Sequence, residues 1–267
     1  MTSVVGKGRA GLRVPSLGEY LRAEREARGL SRARVTDRAP MSAAYLYSIE
    51  TEVRTPGPEI LALLADRYEF DDAQRAYVHA LHAPPLQFDP QRIQTSFDDA
   101  PALQRRLADL EAVGLIAAYF DLSWNVLGAN NCFRATFPGL ADAPVGAQWF
   151  FESTAREVFA DWEHEAALLV GLLKSDLARY RSCTATWRLL RHLERDDDFY
   201  RLWTTDRQIA VGRYTDDLML VRDLDTGTTS SVGIQTGRID TDLTIRHFLG
   251  IRKPRAAQEN MRPSYNQ

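Results

Sequence analysis

LSRARVTDRAPMSAAYLYSIETEVRTP, Leu30 to Pro56, places a serine cap on each side of a proline corner. Ser31 reads as the N-cap of a short helix, Val35 as its inward anchor, and Pro40-Met41 as a corner. Ser42 caps a second helix on which Tyr45, Leu46 and Ile49 gather on one face, leaving Ala43, Ala44, Tyr47 and Ser48 turned outward. Two short helices crossing at a tight corner present one of them to the major groove of DNA, and a small, uncharged, hydroxyl-bearing outer face suits that entry.

Working outward, the same helical bundle extends on both sides. Helical periodicity begins at Leu17, runs through Tyr20, Leu21 and Ala27, and stops at Gly29. After the turn-rich Thr55-Pro56-Gly57-Pro58, one more amphipathic helix carries Ile60, Leu61, Leu64 and Tyr68. A fifth carries Ala73, Tyr77, Val78 and Leu81 before His82-Ala83-Pro84-Pro85 halts it. Residues 1–16 mix Gly, Arg, Lys and Ser without periodicity and read as a flexible arm.

The chain has 267 residues and a net charge of −3, so overall basicity does not announce a nucleic-acid partner. The N-terminal end differs: Met1 to Arg38 holds nine Lys or Arg against four acids, a surplus of five positive charges placed where a DNA-facing bundle needs it. Cys132 and Cys183 are too few for a disulfide framework and lack metal-type spacing, which fits core thiols in a reducing cytosol. The N-terminus lacks an apolar signal segment, and no window is long and apolar enough for a membrane span, so the expected location is cytoplasmic.

Beyond the prolines the pattern becomes mixed. A helix over Leu103 to Leu110 precedes two strands, 113–120 and 124–130, joined by Asp121-Leu122-Ser123, and Asn130 or Asn131 caps the helix bearing Phe133 and Phe137. Residues 155–195 read as helix in two pieces, followed by strands at 208–214, 217–223 and 229–234, the last two meeting at Asp225-Thr226-Gly227. The expected organisation is an arm (1–16), an all-α five-helix helix-turn-helix domain (17–83), a linker (84–102), an α+β domain with an antiparallel sheet (103–252) and a tail (253–267).

The segment from Leu17 to about Tyr68 resembles the XRE family of helix-turn-helix regulators. Its carriers are Leu30-Ser31-Arg32, Val35-Thr36, Ser42, Tyr45-Leu46, Ile49-Glu50, Arg54 and Pro56. The resemblance implies that Ala43, Ala44, Tyr47 and Ser48 face base edges while Ser31, Arg32, Ser42 and Arg54 meet phosphate on a double-stranded operator. The chain departs from the pattern at three positions: Arg32 stands where Gln is usual, Pro40 where Gly is common, and Glu52 where Gly follows the recognition helix. The alanines leave apolar contact with thymine methyls as their direct readout.

From about Leu103 to Ile251 the chain resembles the ligand-binding domain of MmyB-like regulators, a PAS-like fold. The resemblance rests on VLGAN (126–130), FADWEHEA (159–166) and DDDFYRLWTT (196–205), whereas the family's G-x-K-x-F-x-H-P stretch is not reproduced around Gln208 to Leu218. It implies a pocket for a fatty-acid-like or other hydrophobic small molecule. Tyr119, Phe133, Phe137, Phe150, Phe159, Trp162 and Trp203 are the candidate lining, most large aromatics in this region being core. Arg156, Arg179 and Arg188 are candidates to meet a ligand carboxylate.

Asp161, Glu163, His164 and Glu165 read as a solvated charged face rather than a metal site, and Asp196-Asp197-Asp198 as a helix start. No phosphate loop, nucleophile elbow or zinc-protease motif occurs, so neither catalysis nor a cofactor is expected. The reading is a transcriptional regulator acting as a homodimer, with a C-terminal sensor of an apolar molecule. The alternative makes that domain a dimerisation or protein-interaction module without a ligand.

Overall fold

A computed structural model describes residues 11–239 and 242–253. The expected C-terminal tail, from 254 on, lies outside the described residues, as does the arm before Gly11. Five helices open the chain: α1 (Leu17–Ala27), α2 (Arg32–Thr36), α3 (Ala43–Glu50), α4 (Pro58–Arg67) and α5 (Asp72–His82). Ser16 and Glu19 form a capping box on α1, while Ser31 and Ser42 cap α2 and α3 through the amides of Arg34 and Tyr45. Tyr20, Leu21, Val35, Leu46, Ile49, Leu61, Leu64, Tyr68, Tyr77 and Val78 are buried where these helices meet.

Residues 11–16 are not the free arm that their composition predicts. Leu12 and Val14 are buried, the Leu12 amide donates to the Glu194 carboxylate at 2.8 Å, and the Trp203 indole N–H donates to the Arg13 carbonyl at 3.3 Å. Two apolar residues among the glycines and arginines suffice to pin the segment to the second half of the molecule. The expected linker holds a helix, α6 (Pro90–Asp98), started by Asp89 and Pro90 and followed directly by α7 (Pro101–Ala112). Its Ile93 and Phe97 are buried against the sheet.

The sheet is five-stranded and antiparallel, in the order β2 (Val126–Ala129), β1 (Ile116–Phe120), β5 (Asp242–Arg252), β4 (Thr229–Ile239), β3 (Met219–Arg222). Its helical layer comprises α8 (Asn131–Thr136), α9 (Gly146–Trp149), α10 (Ser153–Val158), α11 (Trp162–Ala178), α12 (Thr184–Leu193) and α13 (Asp197–Thr205). Asn130 caps α8, and Asp225-Thr226-Gly227 turns β3 into β4 with Gly227 at φ +67°, as the sequence predicts. The helical stretch 155–195 is in three pieces rather than two.

Two differences from the sequence reading concern strands. Residues 208–214 are not a strand, because their hydrogen bonding goes to a helix: the Ala210 amide donates to the Gly171 carbonyl on α11 at 3.2 Å. The central strand β5 was not expected from DLTIRHFLGIR, since Arg246 and His247 interrupt any apolar run. Arg246 is nevertheless buried, because the Asp176 carboxylate on α11 receives its guanidinium at 2.5 Å.

The two halves share one continuous apolar core. The start of α5 (Asp71 to Ala73) lies by His164 and Leu168, near the start of α11. Just past the end of α11, Arg181 donates to the Ala80 and Ala83 carbonyls at 3.3 and 2.9 Å, closing off the end of α5. So α5, the last helix of the bundle, runs along α11, the helix that covers the sheet.

Candidate DNA-binding and ligand-binding sites

The outer surface of α2 and α3 is organised by one buried carboxylate. The Glu50 side chain is fully buried and accepts from Arg25 Nε at 2.6 Å, Arg25 Nη2 at 3.1 Å and Arg32 Nε at 2.8 Å. These contacts tie α1, α2 and α3 together at the corner. Arg32, which the sequence reading places against phosphate, clamps the fold through Glu50, and its guanidinium lies 5.0 Å from the centre of the Tyr47 ring.

The other residues of this face sit together on the outer side. Ala44 and Tyr47 are exposed, Ala43 and Ser48 half-buried, and Ser48 Oγ donates to the Tyr45 carbonyl at 2.6 Å. Ser31 and Ser42 accept the capping amides, each hydroxyl keeping its own proton for an outside acceptor. Arg54 is exposed, with its guanidinium 5.8 Å from the Tyr45 ring centre. Glu52 takes the left-handed conformation (φ +62°) that glycine adopts freely, as Arg38 (φ +54°) does in the corner beside Pro40.

In the second half, an apolar cavity of about 40 Å³ lies between the sheet and the helical layer. Phe133, Phe137, Phe150 and Phe159, four of the seven sequence candidates, line it with Phe120 and Phe248 from the sheet and Leu168, Leu169 and Leu172 from α11. The rings interlock, Phe133 with Phe137 at 4.9 Å and Phe150 stacked on Phe159 at 5.5 Å between centroids.

The other three candidates are elsewhere. Tyr119 points to the opposite face of the sheet, against Phe97 of α6, because neighbouring residues on a strand alternate sides. Trp162 is half-buried at the start of α11, donating to the Phe150 carbonyl at 2.7 Å under the Arg156 guanidinium. Trp203 is buried against Phe199 and the Arg13 carbonyl. Spacing along a helix or strand gave no means of telling which aromatic faces the cavity.

One wall of the cavity is ionic. Glu165 and Arg213 both line it, each with under a twentieth of its side chain exposed, and they are hydrogen-bonded to each other. Arg213 Nη1 also meets Asp217 at 3.0 Å, and the His164 imidazole faces the same carboxylate at 3.0 Å. Burial lifts the Glu165 carboxyl to about 7, although Arg213 and His164 pull it down; Asp217 adds to the rise. Glu165 is thus not part of the solvated face the sequence predicts, and of the arginines considered for a carboxylate, Arg156, Arg179 and Arg188, none lines the cavity. Arg213 was missed because its segment reads as a strand.

Among the described residues, no cluster of three or more His, Cys, Asp or Glu could hold a metal, and no helix is long and apolar enough to cross a membrane. Fold and sites together define a DNA-binding regulator with an appended ligand-binding domain. Residues 16–78 match the family model of a helix-turn-helix domain, and residues 100–223 match that of the MmyB-like transcription regulator ligand binding domain. The chain is an XRE-type helix-turn-helix transcriptional regulator carrying an MmyB-like ligand-binding domain. The second match ends at β3, so β4 and β5, including the sheet's central strand, lie beyond it. No curated protein matches the chain.

Proposed function

We propose that this regulator acts in the cytoplasm as a homodimer and that a fatty-acid-like molecule in the cavity of its second half controls its grip on operator DNA. In this reading Ala43, Ala44, Tyr47 and Ser48 meet base edges, and Ser31, Arg32, Ser42 and Arg54 meet phosphate. Two copies supply the buried area that one bundle lacks. A catalytic role is not part of it. The observation that carries the ligand reading is an aromatic and aliphatic chamber closed at one end by the buried Glu165–Arg213 pair, an arrangement that suits an apolar body with a polar end.

Helix α11 links the two activities: Leu168, Leu169 and Leu172 face the cavity, while the same helix packs lengthwise on α5. A ligand that moves α11 then biases the bundle, provided it binds the two arrangements with different affinity.

One observation favours the second reading, in which the domain serves contacts between proteins without a ligand. The cavity's volume of about 40 Å³ is far below the roughly 300 to 1,000 Å³ of ordinary ligand sites, so a ligand requires the wall to open. Lipid extraction and mass spectrometry of the purified chain, with operator selection in the presence and absence of cellular lipid extract, separates the two. A bound acyl species with a shifted DNA preference supports sensing. An empty domain with an unmoved preference supports the interaction module.

A further inference from the structure

Arg213 lies in the segment Gln208 to Leu218, and two spaces meet at it. On one side it lines the apolar cavity beside Glu165 and Leu168. On the other it lines a cleft of about 730 Å³ bounded by the 208–217 loop, by His164, and by Asp71, Asp72 and Ala73 at the start of α5. With 3% of its side chain exposed, it is the polar plug between cavity and cleft, beside Leu168, which also lines both.

The charged groups facing this plug are Glu165 and His164 from α11, Asp216 and Asp217 from its own loop, and Asp71 and Asp72 from the N-terminus of α5. Arg213 is the permanent cation among the residues lining both spaces, and it is already spent on Glu165 and Asp217. An incoming anion must therefore take the place of one of those carboxylates. Glu165 is the one that faces the apolar side.

We propose that Arg213 selects ligands ending in a carboxylate, which displace Glu165 from it, and that Glu165 takes up a proton as it is displaced. This rests on the reading of the cavity as an apolar-ligand site. Charge balances: the closed pair, cationic Arg213 with anionic Glu165, receives a carboxylate and one proton from solvent. It ends as cationic Arg213 with the ligand carboxylate beside a neutral Glu165. No other bond is made or broken. Protonation comes easily because burial already holds the Glu165 carboxyl near 7, and the neutral acid can donate a hydrogen bond to the ligand. Leaving Glu165 ionised next to a second buried carboxylate would instead cost heavily.

The test is calorimetric titration of the full chain with decanoate, methyl decanoate and decanol in buffers of different ionisation enthalpy. Decanoate is expected to bind at least about tenfold tighter than the ester, with proton uptake approaching one per ligand near pH 8 and vanishing near pH 6, where Glu165 is already protonated. Its affinity then falls by up to about tenfold per pH unit above 7 and is flat below. Glu165→Gln removes the uptake and the slope; Arg213→Met erases the preference for acid over ester while the ester still binds. Both comparisons of acid with ester and of pH 8 with pH 6 can be made on the unaltered chain, so a variant that fails to fold does not decide the outcome. Equal affinity for acid and ester, or no uptake near pH 8 when the ester binds, overturns the role of Arg213 and leaves the apolar-ligand reading standing. No binding of any of the three overturns both.

Discussion

Glu50 in the DNA-binding bundle and Glu165 in the sensor domain are both buried carboxylates facing arginine, yet their surroundings give them opposite characters. Glu50 accepts from three guanidinium nitrogens on two helices and sits where α1, α2 and α3 converge. Glu165 has one arginine, which it shares with Asp217, and otherwise faces phenylalanine and leucine. The same pair of residue types makes a fixed clamp when all acceptors are satisfied and a replaceable contact when they are not. The clamp sets the shape of the surface proposed to meet DNA; the replaceable contact is the end of the chamber.

The largest effect is expected where the clamp is cut. Glu50→Ala leaves Arg25 and Arg32 without their buried partner and is expected to destabilise the fold by about 3–5 kcal/mol in denaturant unfolding. A loss no larger than that of an exposed ion pair would erase the contrast with Glu165.

The sensor pair shows itself through pH. With its carboxyl raised from 4.5 to about 7 in the fold, Glu165 binds a proton more readily folded than unfolded. Its stabilising contribution is full below pH 4.5 and is lost as pH rises to about 7, a fall of about 3 kcal/mol. Unfolding the unaltered chain and Glu165→Gln across this window should show the fall only in the former.

Arg32 joins the clamp to the proposed DNA face, so its removal has two readouts. Arg32→Ala should cost about 1–2 kcal/mol of stability through the lost bond to Glu50. It should also weaken binding to all DNA alike and lower the salt slope by roughly one. Changes at Ala44 or Ser48 should instead alter which sequence is preferred. Identical effects from all three would sink the division between clamp and reader.

The smallest effect is local. Glu52 holds a left-handed conformation just past α3, and Glu52→Gly should raise stability by about 0.5–1 kcal/mol while removing an acid from the proposed DNA side. Both a thermal melt and a DNA titration report on it.

Much of the bundle was legible because its signals are local. Ser31 and Ser42 cap the helices that they mark in the sequence, and Leu46 and Ile49 point inward as their spacing requires. What the sequence hid depends on contacts between distant residues. The partnership of Glu50 with Arg25 joins α3 to α1, and Arg246 becomes part of a central strand only because Asp176 waits on α11. The chamber was half legible. Phe133 and Phe137 follow a capped helix start and do face it, whereas Tyr119 is turned away by strand alternation, and Arg213 lies in a loop that copies the apolar rhythm of a strand.

The most direct test of the claim that chamber and DNA face act together is a titration of the selected operator with the full chain, with and without saturating decanoate. Operator affinity should change by roughly fivefold or more, with no change for an operator bearing scrambled base contacts. Unchanged operator affinity with decanoate demonstrably bound would contradict it.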